Sequence, residues 1–197
     1  MRILATIGAL AIIVGVGAAA FFFGGYYSIA GTVEDPGIVR WALIQVRTAS
    51  IKRNANDQPP ASINDAGAVQ AGARAYAKQG CVNCHGGPGT AWAKFSEGLH
   101  PDPPDLKDVV GERTPAQLFW VIKNGINMTG MPSFALAGAK DDELWTIVAF
   151  LKKLPSVKEA DYKAWTAPAP APVAAPPAPP AAAPAPTTPP APPAENK

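Results

Sequence analysis

The two cysteines of the chain stand in one five-residue string, CVNCH, from Cys81 to His85. Thiols and an imidazole at this spacing can serve three chemistries. A zinc site needs four ligands, and the chain has only Cys81, Cys84, His85 and His100 to offer. His85 directly follows Cys84, a poor spacing for closing a tetrahedron, and there is no second C-x-x-C. A redox-active dithiol wants a strand–helix–strand setting, whereas the residues before Cys81 read as helix. The third chemistry is covalent attachment of a c-type haem. Two thiols one helical turn apart can add to the two vinyl groups along one edge of the macrocycle. The adjacent histidine is then fixed beneath the iron. Cys81 and Cys84 are therefore read as thioether attachment points and His85 as an axial ligand.

The other axial position has three candidates: His100, Met128 and Met131. His100, in GLHPDPPDL, lies fifteen residues beyond His85 in a proline-rich stretch that wraps the same side of the haem. Met128 and Met131, in NGINMTGMPSF, follow a helical segment and sit in a loop free to return over the opposite face. A thioether is a soft ligand that favours reduced iron, so His/Met ligation raises the potential. Gly130 permits close backbone approach and Pro132 stiffens the far side of Met131. Spacing alone does not separate the two methionines.

Three helical segments must position these groups. NDAGAVQAGARAYAKQG starts at a cap, Asn64 or Asp65, and stops at Gly80, with Val69, Gly72, Ala73 and Tyr76 on one face. TPAQLFWVIKNG has Thr114 as cap, Pro115 at the first helical position and Gly125 as terminator. DDELWTIVAFLKKLP opens with three acids at the positive dipole end and finishes with Lys152 and Lys153 at the negative end. Its apolar face includes Leu144, Ile147, Val148 and Leu151, and Pro155 closes it. Nothing in this middle region alternates like a strand. A long irregular connection runs from about Gly86 to Glu112, and loops of that length are usually functional or wrapped around something. An all-α domain with so little helix is thin covering for a core, unless a bound macrocycle replaces the missing apolar volume.

The flanks differ sharply from this centre. Residues 3–23, ILATIGALAIIVGVGAAAFFF, hold no charge and as a helix span roughly 31 Å, the thickness of a bilayer core. Tyr26 and Tyr27 follow at interfacial depth. The small residues of SIA at 28–30 suit a signal peptidase, but the apolar run exceeds a signal-peptide core, so the segment reads as an uncleaved anchor. Ala11, Gly15 and Ala19 form a small-residue face of the kind that packs on a neighbouring helix. Residues 38–55 carry Arg40, Arg47, Lys52 and Arg53 with no acid, which suits either a solvated linker helix or contact with anionic headgroups. From Ala167 the chain is almost entirely alanine and proline, with nothing to build a core, and reads as a disordered, partly polyproline II tail. The net charge of +2 gives no ground for a nucleic-acid partner.

From about Asp65 to Leu154 the chain resembles the class I c-type cytochromes. The small residue followed by an aromatic four positions later on that family's first helix is matched by Gly72 and Tyr76. The aliphatic and aromatic positions of its last helix are matched by Ile147 and Phe150. The P-x-L segment is matched by Pro104 to Leu106, and the G-M-P-x-F of bacterial members by Gly130, Met131, Pro132 and Phe134. Met128 matches nothing in the pattern. The resemblance implies an all-α class I cytochrome c fold, preceded here by a transmembrane helix. It implies one covalent haem c, His85 and Met131 as the axial ligands of the metal, and the Pro104 carbonyl accepting the second ring N–H of His85.

The domain organisation expected is an anchor at 1–25, a basic and partly helical linker at 26–63, a monohaem domain at 64–166 and the tail at 167–197. The function implied is a bacterial inner-membrane electron carrier with a periplasmic haem domain, because haem attachment occurs outside the cytoplasm. It would pass single electrons between a quinol-oxidising or dehydrogenase complex and an oxidase or reductase, with no small-molecule substrate. A fixed haem subunit of a larger membrane oxidoreductase is the alternative. An enzyme, such as a monohaem peroxidase, would need an open or displaceable axial position. Lys78, Lys94, Lys107 and Lys123 would ring the haem edge and meet acidic partners.

Overall fold

Helix α1 spans Arg2–Phe23, carries no buried residue, and is long and apolar enough to cross a membrane. The structure, a computed structural model, describes residues 1–168. The expectation of a disordered Ala/Pro tail otherwise falls outside these residues. After a short linker comes α2, Gly37–Asn54, whose last turn carries Lys52 and Arg53 against the negative end of the helix dipole. Most of α2 is exposed; Ile51, near its end, is buried, and the helix packs on α6 (Pro115–Asn124).

The remaining helices build the central domain: α3 (Ala66–Lys78), α4 (Cys81–His85), α5 (Leu106–Val109), α7 (Asp141–Lys153) and α8 (Glu159–Thr166). Single 3-10 turns at Ala61–Asn64, Lys94–Gly98, Val110–Glu112 and Leu154–Ser156 link them. No strand forms among the described residues; Gly87 and Thr90 make one isolated bridge. The connection from Gly86 to Glu112 is therefore less irregular than expected, since it holds two 3-10 turns and α5.

Helix α3 is alanine-rich, which favours helix at every position that packing does not decide. It begins after Asp65, whose backbone is extended but whose side chain makes no capping bond. Helix α6 is better capped. Thr114 Oγ1 accepts from Gln117 N across 3.2 Å, and Gln117 Oε1 accepts from Thr114 N across 3.1 Å. Two otherwise orphaned amides are satisfied reciprocally. Helix α7 runs from three acids to two lysines, and Pro155 falls inside the 3-10 turn that follows it.

Helices α3 and α7 form the most extensive pair. Gly72 sets how closely they cross: a Cβ there would land on the Thr146 carbonyl and 2.9 Å from Phe150 Cβ. Phe150 is fully buried, with its ring 5.3 Å from that of Tyr76 and 5.7 Å from that of Tyr162. On the other side of α7, Trp145 stacks on Phe119 of α6 at 4.0 Å and 4°. Burying a side chain of this size contributes about 1.5–3 kcal/mol for each fully buried phenylalanine. Every residue expected on the apolar faces of α3 and α7 is buried. Helix α8 was not expected, and its Tyr162 closes the aromatic stack from outside.

Candidate haem centre

Gly80, at φ +76°, turns the chain out of α3 and into the single helical turn α4. Left-handed backbone of this kind is adopted at little cost only by glycine. The turn presents Cys81 and Cys84 as free thiols, each partly buried. Burial pushes the Cys81 thiol up to about 12. The next residue is held firmly: His85 Nδ1 donates to the Pro104 carbonyl across 3.0 Å. A carbonyl can only accept, so the proton sits on Nδ1 and Nε2 keeps the lone pair a metal needs. Burial lowers the His85 pKa, opposed in part by the Pro104 bond, so the ring is neutral at physiological pH.

The backbone just beyond His85 is fixed from α3 and α8. Tyr76 Oη donates to the Gly86 carbonyl across 2.7 Å. A Cβ on Gly87 would sit 3.3 Å from the Tyr162 ring, so α8 packs directly over this bend. A small cavity beside His85 is lined by Trp92, Asp105, Lys107 and Leu154 among others.

The methionine loop is built differently. Gly125, at φ +70°, ends α6 and leaves no room for a side chain. A Cβ there would lie 2.6 Å from the Pro132 carbonyl carbon and 2.7 Å from Met131 O. The loop then closes on itself. Ile126 N donates to Met131 O across 3.1 Å, Met131 N donates to Thr129 Oγ1 across 3.1 Å, and Thr129 Oγ1 donates to Ile126 O across 2.7 Å. Ser133 Oγ donates to Lys123 O across 2.7 Å and ties the loop back to α6. Gly130 lies under Leu99, whose Cδ1 is 2.8 Å from where a Cβ would stand.

The two methionines are thereby separated. Met131 packs, partly buried, against the same core cluster that receives Cys81, Val82 and Leu106. Met128 is 78% exposed, in a left-handed conformation (φ 59°) at the tip of the loop. His100 is exposed and lies against Gly31 of the linker after α1. Among the described residues no group of three or more His, Cys, Asp or Glu side chains gathers as a metal cluster. Of the four lysines expected around a haem edge, three are ion-paired: Lys78 with Glu143 (3.1 Å), Lys94 with Glu97 (2.5 Å) and Lys123 with Asp141 (2.7 Å). Lys107 lines the cavity at His85.

The residues present fit a covalently attached haem. Two free thiols stand one turn apart, a neutral imidazole with a free lone pair follows them, and apolar Val82, Leu106 and Met131 lie on the same core rim. Leu99 and the Tyr76–Gly86 bond are contributions the sequence reading missed. Tyr76 was singled out only as a packing residue, and nothing in GLHPDPPDL marks Leu99 as a neighbour of Gly130.

Neither a curated protein nor a solved structure matches the chain. Residues 67–151 match the family model described as cytochrome C oxidase, cbb3-type, subunit III. This part of the chain, from α3 through α7, is a c-type cytochrome domain that carries covalently bound haem c and serves haem-based electron transfer.

Proposed function

We propose that the chain is a membrane-anchored carrier of single electrons, with one haem bound through thioethers to Cys81 and Cys84 and ligated by His85 and Met131. When bound, the haem supplies a one-electron iron couple. The chain's residues fix the ligands. The observation that carries this reading is the His85–Pro104 hydrogen bond on the attachment turn, which orients the ring and leaves Nε2 for iron. The packed setting of Met131, against the exposed one of Met128, supports the thioether assignment. With both axial positions occupied, no open site remains for a substrate, and fixed ligands reorganise little between oxidation states. Helix α1 is the single-pass anchor of a bacterial inner membrane, and the haem domain faces the periplasm, where attachment takes place.

Spectroscopy of the haem-loaded protein tests the ligand set. Met131→Ala abolishes the methionine–iron charge-transfer band and opens the reduced protein to carbon monoxide, while Met128→Ala leaves both properties unchanged. Loss of the band in Met128→Ala alone would overturn the assignment. Carbon monoxide binding by the unmodified reduced protein at neutral pH would favour an enzyme instead.

A second reading is a fixed haem subunit of a larger membrane oxidoreductase. The description of the matching family, which names an oxidase subunit, favours it. Stable co-purification with other subunits in mild detergent selects this reading over a roaming carrier.

A further inference from the structure

Helix α2 lies outside the residues that match the cytochrome family. Its polarity changes along the axis. In the first half Ile38, Trp41 and Val46 are 71%, 59% and 66% exposed, and Leu43 and Ile44 are exposed as well. At 3.6 residues per turn these side chains point all round the helix. The second half reads RTASIKRN, and the whole helix holds Arg40, Arg47, Lys52 and Arg53 with no acid. Contiguous apolar surface of this kind marks a contact, since water-exposed helix ends do not sustain it.

The path of the chain indicates what the contact is. Tyr27 packs on Phe22 and Phe21 in the last turn of α1, with ring centroids 5.2 and 6.1 Å away. Its hydroxyl donates to the carboxylate of Asp35, just before Pro36 and the first residue of α2. One hydrogen bond thus clasps the start of α2 to the end of the membrane span. The acids Glu34 and Asp35 lie in the linker, before the helix, and Asp35 is engaged by Tyr27.

We propose that the apolar half of α2 seats in the headgroup layer of an anionic bilayer, clasped there by Tyr27 and Asp35, and stations the haem domain at the membrane surface. An apolar end with Trp41 suits interfacial depth, and an all-basic helix suits anionic headgroups. Ile51, near its other end, is buried at 2% exposed, and α2 packs on α6, so the domain follows the helix. As a flexible tether, Gly24–Asn64 would reach about 130 Å; folded and docked, it holds the haem near membrane-embedded partners. The inference rests on the reading of α1 as a membrane anchor.

The test uses the full haem-loaded chain in nanodiscs, with Cys81 and Cys84 consumed by the haem. Spin labels are placed singly at Val14→Cys, Ile38→Cys, Trp41→Cys and Lys163→Cys. Collision with oxygen is compared with collision with a water-soluble nickel chelate. In phosphatidylglycerol discs the labels at 38 and 41 should favour oxygen several-fold over the label at 163. That preference should weaken in phosphatidylcholine discs, with Tyr27→Phe, or with Arg40, Lys52 and Arg53 changed together to glutamine. Labels at 38 and 41 as wet as the one at 163, with the label at 14 inside the bilayer, would overturn this inference alone. A wet label at 14 would overturn the anchor itself. Protection at 38 and 41 that appears only when a second protein is added would assign the surface to that protein and also overturn the proposal.

Discussion

Tyr76 of α3 donates its hydroxyl hydrogen to the carbonyl oxygen of Gly86, 2.7 Å away and one residue past His85. The tyrosine is 1% exposed, and burial holds its pKa far above the ordinary phenol range, so it remains a donor at any working pH. Gly86 is buried too. The bond therefore joins the core helix pair to the backbone that carries His85.

Replacing Tyr76 with phenylalanine keeps the ring against Phe150 and removes only the hydroxyl. The Gly86 carbonyl is then left buried without its donor, which costs about 1–3 kcal/mol. In a domain of this size the thermal midpoint falls by roughly 4–8 °C for each kcal/mol. Thermal unfolding of the haem-loaded Tyr76→Phe protein checks this. An unchanged midpoint would mean that the carbonyl finds another partner and that the bond carries no stability.

How much of this was legible depends on whether the signal is local. The faces of α3 and α7 were readable because Val69, Ala73 and Tyr76, and Leu144, Ile147, Val148 and Leu151, recur at helical spacing. Thr114, Pro115 and Gly125 mark the ends of α6 by their own backbone chemistry. Helix α8 carried no such pattern. Its order comes from Tyr162 packing on Phe150, a partner twelve residues earlier in the chain that no local window reveals. The same limit hid Leu99 against Gly130. Helix α2 was read as a partly helical linker, and only the fold shows Ile51 buried at its end. Cys81, Cys84 and His85 stand out by spacing, whereas resemblance singles out Met131; the fold packs Met131 against the core and leaves Met128 exposed, a difference in setting that no local window reveals.

Lys123, near the end of α6, bonds Asp141 in the first turn of α7 at 2.7 Å and lies 5.2 Å from the centre of the Phe119 ring. The pair closes the base of the methionine loop. The hydrogen bond that Lys123 donates to Asp141 raises the Lys123 pKa above its ordinary 10.5. A pKa raised by folding adds stability that is fully present below 10.5 and disappears as pH climbs through the folded value. Asp141 is exposed and Lys123 half-buried at the surface, so solvent screening keeps the effect within the small range of surface ion pairs. Lys123→Met should therefore be slightly less stable than the unmodified protein at neutral pH. The two midpoints should converge well above 10.5, and a gap that stays constant with pH would show that the lysine acts through packing alone.

Gly125 and Gly130 both flank Met131, but they limit the loop in different ways. At Gly125 a methyl group would meet backbone: the Pro132 carbonyl carbon at 2.6 Å, Met131 O at 2.7 Å and Ser133 N at 2.7 Å. It would also impose an L side chain on φ +70° and ψ −171°, a region essentially confined to glycine, which costs about 1–3 kcal/mol before any clash is counted. Backbone cannot rotate aside, so the loop must move and take Met131 with it. At Gly130 the obstacle is Leu99 Cδ1 at 2.8 Å, the end of a flexible and half-buried side chain that can change rotamer. Gly125→Ala should therefore weaken the methionine–iron band, lower the reduction potential and lower the thermal midpoint together. Gly130→Ala should keep the band and shift the potential only slightly. Redox titration and absorption spectra of the two variants decide the matter. An intact band in Gly125→Ala would mean that the loop is not held by this contact, and the reverse order of effects would place the controlling contact at Leu99.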